Sequence, residues 1–158
     1  MNPEARIWIY QADKELVESE IDITSKYLSA FTKSWSSHGI GLKAGFEIKY
    51  NRFIVLIVDE TNKEASGCSI DKSTQAMVEL GNLLRIDLLN KTNLAFLNNQ
   101  NQIFTLKLTD LKTAVENSRV LQNTLFFNNT ILKYSDLATQ WLVPASDSWL
   151  KRYFKVNA

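Results

Sequence analysis

The stretch KAGFEIKYNRFIVLIVDE, residues 43–60, decides the fold. Its first part alternates, with Phe46, Ile48 and Tyr50 on one face and Lys43, Glu47 and Lys49 on the other. A period of two with one polar face is a half-exposed strand. Asn51-Arg52 offers a two-residue turn. FIVLIV (53–58) then runs apolar without a break and is rich in β-branched residues. Such a run suits a strand buried on both faces. The pair therefore reads as an edge strand followed by a central one.

Working outward toward the N-terminus, RIWIYQ (6–11) is a second short β-branched and aromatic run. Asp13 stands where it can cap a helix carrying Val17, Ile21, Leu28, Phe31 and Trp35 on one face. Glu15, Glu18, Glu20 and Asp22 crowd its start, and Lys26 and Lys33 come later, which complements the helix dipole. SSHGIG (36–41) ends it with glycine.

Toward the C-terminus, a long connection, DETNKEASGCSI (59–70), leads to a helix starting near Asp71. Met77, Leu80, Leu84 and Leu88 line its apolar face. LAFL (94–97) and IFTLKL (103–108) form a hairpin across NNQNQ (98–102). A short helix (110–117), a second hairpin within TLFFNNTILKY (124–134) and aromatic-rich turns complete the chain.

The order from 6 to 97 is strand, helix, strand, strand, helix, strand. That is the ferredoxin-like βαββαβ arrangement. The expectation is one α+β domain over 1–158, with its core at about 6–97 and a C-terminal β-hairpin/helix extension over about 98–158. Helices would cover one sheet face only. The other needs cover from residues 100–158 or from a second subunit, which would make the chain a homo-oligomer. The alternative makes ASGCSI (65–70) the third strand of a meander, an RNase H-like start. The carboxylates it would need, Asp59, Glu79 and Asp87, have no distinctive spacing.

Composition removes several functions. The chain has 158 residues, 45% hydrophobic and 22% charged, so it is long enough to bury its own core. A net charge of +1 argues against duplex DNA or an anionic membrane as a partner. One cysteine and one histidine build neither a disulfide nor a Cys-based zinc site, and no metal or cofactor is expected. The N-terminus lacks the pattern of a signal peptide, and Phe53–Val58, the longest apolar run, is far too short to span a bilayer. The expected location is the cytoplasm.

Chemistry concentrates in EASGCSIDKS (64–73). In the ferredoxin-like topology, the end of the first helix and the end of the third strand meet at one edge of the domain. His38, Asp59, Glu60 and Cys68 would then lie together. Cys68 could act as a thiol nucleophile, with His38 as base and Asp59 orienting it. Ser66, Gly67, Ser69, Lys72 and Ser73 could hold a phosphate or carboxylate at a helix start. Against this, a helix N-terminus contributes only about 0.3–1 kcal/mol to an exposed anion, and the signatures of known cysteine enzymes are absent. The plainer reading makes Cys68 a small packing residue and His38 a polar terminator.

Near the C-terminus, Trp141, Trp149, Tyr153 and Phe154 interleave with Lys151, Arg152 and Lys155. Such mixtures bind single-stranded nucleic acid. Here the patch is short and the net charge small, so the aromatics are expected to dock on the core and the basic groups to face water.

RIWIYQAD (6–13), FEIKYNRFIVLIVDE (46–60), ASGCSIDKS (65–73) and WLVPASDSW (141–149) together resemble a family of short bacterial proteins often described as ABC transporter ATPases. The resemblance covers nearly the whole chain and implies no residue roles. A phosphate loop, G-x-x-x-x-G-K-[ST], needs glycines so that backbone N–H groups can cradle phosphates. Lys72-Ser73 supplies its ending, but Asp71 stands where the preceding glycine belongs and Gly67 is not at the first glycine's spacing. The expected function is a non-catalytic interaction or small-ligand-binding module. The alternative is a hydrolase or transferase using Cys68 and His38.

Overall fold

The computed structural model describes residues 1–155, which fold as an α+β protein in two compact units. The first comprises Met1–Asn90 with Leu132–Ser135, and the second Lys91–Ile131 with the residues from Asp136 onward. Among the described residues, no helix is long and apolar enough to cross a membrane.

The first unit is built on a three-stranded antiparallel sheet of β1 (Arg6–Gln11), β4 (Lys43–Lys49) and β5 (Phe53–Asp59), in the order β1-β5-β4. β5 is central and buried at every position, as its unbroken apolar run requires. β4 is the alternating edge. Ile54, Leu56 and Val58 meet two helices, α1 (Glu18–Ser34) and α2 (Gly67–Leu84), through Leu28, Met77, Leu80 and Leu84. Each such fully buried aliphatic side chain stabilises the fold by about 1.5–3 kcal/mol. Phe53, Val55 and Ile57 on the other face of β5 are buried too.

Several local expectations shift. The turn between β4 and β5 centres on Tyr50 and Asn51, both at positive φ, with Arg52 N–H donating to Lys49 O at 3.0 Å. It lies one residue earlier than Asn51-Arg52, because two non-glycine residues accept the left-handed region. Helix α1 begins after Val17, not at Asp13. The Glu20 carboxylate reaches back to Val17 N–H at 3.0 Å and also holds Lys14 Nζ at 2.8 Å. Residues 36–41 do more than terminate that helix. They form a small hairpin of β2 (Ser36–Ser37) and β3 (Ile40–Gly41), with His38 and Gly39 at positive φ in its turn.

Helix α2 starts at Gly67, four residues before Asp71, and so shortens the preceding connection. It ends with Arg85 in the left-handed region and Ile86 N–H donating to Gly81 O at 3.0 Å. That closure brings the chain back over Gly81, where a Cβ would lie 2.7 Å from Ile86 O. Because residues 65–70 enter a helix, the meander of the RNase H-like alternative does not form.

The ferredoxin-like sheet is not completed either. The strand expected as its fourth, β6 (Asn93–Leu97), joins a separate four-stranded sheet in the second unit. There it pairs with β7 (Ile103–Lys107) and β8 (Leu125–Phe127), and β8 pairs with β9 (Leu142–Pro144). Joining β6 to β7 needs only the short loop 98–102, a small entropic cost. β8 likewise chooses β9 rather than the 131–134 segment expected as its hairpin mate.

Those later residues lie along the free edge of β1. Ile7 N–H donates to Leu132 O at 3.0 Å, Tyr134 N–H donates to Ala5 O at 2.9 Å, and Arg6 bridges Lys133. Tyr134 Oη donates to Glu47 at 2.5 Å. A four-residue strap thus occupies the edge where the fourth strand was expected.

The second unit packs α3 (Leu111–Glu116) and the 3-10 turn Trp149–Phe154 around Leu94, Phe96, Phe126 and Leu150. Ser148 caps that turn by accepting from Leu150 N–H at 3.1 Å.

Candidate functional site

The sequence EASGCSIDKS builds a capped helix start. Ser66 Oγ accepts from Ser69 N–H at 3.2 Å, and Ser69 Oγ accepts from Ser66 N–H at 2.5 Å. Two N–H groups that a helix start leaves without partners are thereby satisfied. Ser69 and Ser73 are fully buried. Ser73 Oγ donates to Ile70 O at 2.6 Å and lies 3.3 Å from Tyr10 Oη. Burial raises the Tyr10 pKa against the opposing pull of the Ser73 and Thr74 hydroxyls. Of the five residues expected to hold an anion, Ser66 and Ser69 cap the helix and Ser73 faces the core. Only Gly67 and Lys72 are exposed.

Cys68 occupies the second helical position and is exposed. His38 is exposed at the tip of the β2–β3 turn. Trp35 Nε1 donates to Ser69 O at 2.8 Å, so the chain neighbours of both residues are pinned by one buried hydrogen bond. The thiol and the imidazole make no hydrogen bond or ion pair among the described residues.

Asp59, at the end of β5, is committed elsewhere. Thr61 Oγ1 and Thr61 N–H donate to its Oδ1 at 2.5 and 3.0 Å, Asn2 Nδ2 lies at 3.3 Å, and Lys43 Nζ sits 3.6 Å from Oδ2. The Thr61 hydrogen bonds are the main reason its carboxyl is held down at about 2. Glu60 likewise accepts from Ala65 N–H at 2.9 Å and shapes the connection into α2. Among the described residues, no three metal-ligating side chains cluster.

The second unit holds a groove of which sequence reasoning reached one side only, the basic and aromatic residues Arg152, Tyr153, Phe154 and Lys155. α3 and the turn Trp149–Phe154 border an open groove of about 770 Å³. Val115, Val120, Leu121, Tyr153 and Phe154 supply its apolar lining, and Lys112, Arg152 and Lys155 bring positive charge against one acid, Glu116. Leu121 is 49% exposed. Arg152 lies 5.1 Å over the Tyr153 ring and its Nη2 donates to Tyr153 Oη at 3.2 Å. Of the aromatic residues near the C-terminus, Trp141 docks as expected, Tyr153 and Phe154 pack partly against the core, and Trp149 stays 38% exposed. Trp141 is buried with Nε1 donating to Asn129 Oδ1 at 2.9 Å, and Trp149 meets Phe126 edge-on at 5.9 Å.

No protein family, curated protein or solved structure matches the chain.

Proposed function

We propose that the chain is a non-catalytic binding module whose ligand sits in the groove between α3 and the turn Trp149–Phe154. The observation that carries this reading is the combination of an open concavity, a partly exposed apolar lining and a few convergent polar groups, the usual makeup of a small-molecule site. At the helix start, by contrast, the serine hydroxyls are consumed by capping and packing. Nucleotide hydrolysis has no place in this reading, since a phosphate loop presents free backbone N–H groups where Ser66 and Ser69 close on each other. The test is a titration with methyl naphthalene-2-carboxylate, a neutral apolar probe, followed by amide chemical shifts. Saturable shifts confined to residues 112–122 and 150–155 are expected. Shifts scattered over both units, or none, contradict the reading.

One observation favours a second reading, a thiol-dependent hydrolase or transferase. Cys68 is exposed in the first turn of a helix whose start is tied by Trp35 to the chain just before His38. Alkylation of Cys68 by iodoacetamide from about pH 5 to 9, in the wild type and in His38→Ala, decides it. Coincident rate profiles remove His38 from any role at the thiol.

A further inference from the structure

Resting on the groove reading above, we infer that the ligand is a carboxylate with an aromatic or apolar body. The charge around the groove is unbalanced, with Lys112, Arg152 and Lys155 against Glu116 alone, on a chain whose net charge is only +1. None of these cations is ion-paired within 4.0 Å among the described residues. Glu116 lies one helical turn after Lys112 on α3, where an ion pair could have formed.

Arg152 gives the site its geometry. Its guanidinium is held over the Tyr153 ring, and one N–H is given to Tyr153 Oη at 3.2 Å. The contact over the ring and the hydrogen bond to Oη hold the fork, and the remaining N–H donors suit the two oxygens of a planar carboxylate. Because Tyr153 Oη accepts from Arg152, its own proton is free to donate to the same anion. The apolar remainder of the ligand would cover Leu121 and Val115. A partly buried lining cannot by itself discriminate an acid from an ester, so the selectivity has to come from the basic rim.

The experiment compares naphthalene-2-carboxylate with its methyl ester on the full chain, by amide shifts of residues 112–122 and 150–155. The acid is expected to bind about tenfold more tightly than the ester, the yield of one charge-assisted hydrogen-bond pair. Arg152→Gln with Lys155→Gln should lower the acid's affinity several-fold, toward that of the ester. Equal binding of acid and ester overturns the carboxylate and leaves the groove reading standing. Failure of both probes to shift these amides overturns both. Naphthyl phosphate binding more tightly than the carboxylate would overturn the planar-carboxylate assignment in favour of a phosphate ester.

Discussion

Trp35 Nε1 donates to Ser69 O across a buried 2.8 Å hydrogen bond, joining the end of α1 to the first turn of α2. The indole also packs against Trp8 and Phe31, with ring centroids 5.8 and 5.0 Å away. Trp35→Phe keeps most of the apolar contact and removes a second donor from a carbonyl inside α2. A loss of about 0.5–1.5 kcal/mol is expected in urea unfolding, the net contribution of one hydrogen bond. A change below the measurement error would mean that water replaces the indole there.

Ser66 is the N-cap of α2. Ser66→Ala should cost about 1 kcal/mol and Ser66→Gly only a few tenths, the ordering typical of caps. Equal effects of the two variants in denaturant unfolding would remove the cap from the account.

Gly81 tests the closure of the same helix. Glycine to alanine inside a helix ordinarily gains up to about 1 kcal/mol. Here the added Cβ would meet the Ile86 carbonyl oxygen at 2.7 Å. Gly81→Ala should therefore destabilise, by about 1–3 kcal/mol through forced backbone movement. A raised melting temperature would contradict the placement of Ile86.

Asp59 predicts an acid dependence. Its folded pKa, about 2, lies below the ordinary aspartate value, which is about 3.9. The stability it contributes is fully present above the unfolded value and is lost as pH falls through the folded one. Asp59→Asn should therefore be less stable than wild type at neutral pH, and the gap should close between about pH 4 and pH 2. Urea midpoints at three pH values measure it. A gap that stays constant into acid would assign the difference to packing.

The strands and the apolar faces of both long helices were legible because each period is strong over a long run. The central position of Phe53–Val58 and the edge character of Lys43–Lys49 came directly from that contrast. The hairpins of Lys43–Asp59 and Asn93–Lys107 were legible too, but the sheet to which the second belongs was not. Leu94–Leu97 announces a strand but carries no mark of its sheet, and the short loop to Ile103 decided it. The strap Leu132–Ser135 is too short to leave a pattern, and its role depends on β1 having a free edge. The start of α2 was displaced because Ser66-x-x-Ser69 lacks the acidic third residue that makes a capping box conspicuous. The groove was half legible. Arg152, Tyr153, Phe154 and Lys155 stand out as a basic and aromatic patch, but Lys112 is an ordinary surface residue until α3 and the turn Trp149–Phe154 come together.

Naphthalene-2-carboxylate binding, compared among the wild type, Cys68→Ala with His38→Ala, and Leu121→Glu, tests most directly whether the groove or the helix start is the site. The affinity should be unchanged by the Cys68 and His38 pair of substitutions. It should fall by about tenfold or more in Leu121→Glu, where a like charge faces the anion at the apolar lining. The opposite pattern, loss in the Cys68 and His38 variant with Leu121→Glu unaffected, would contradict the account.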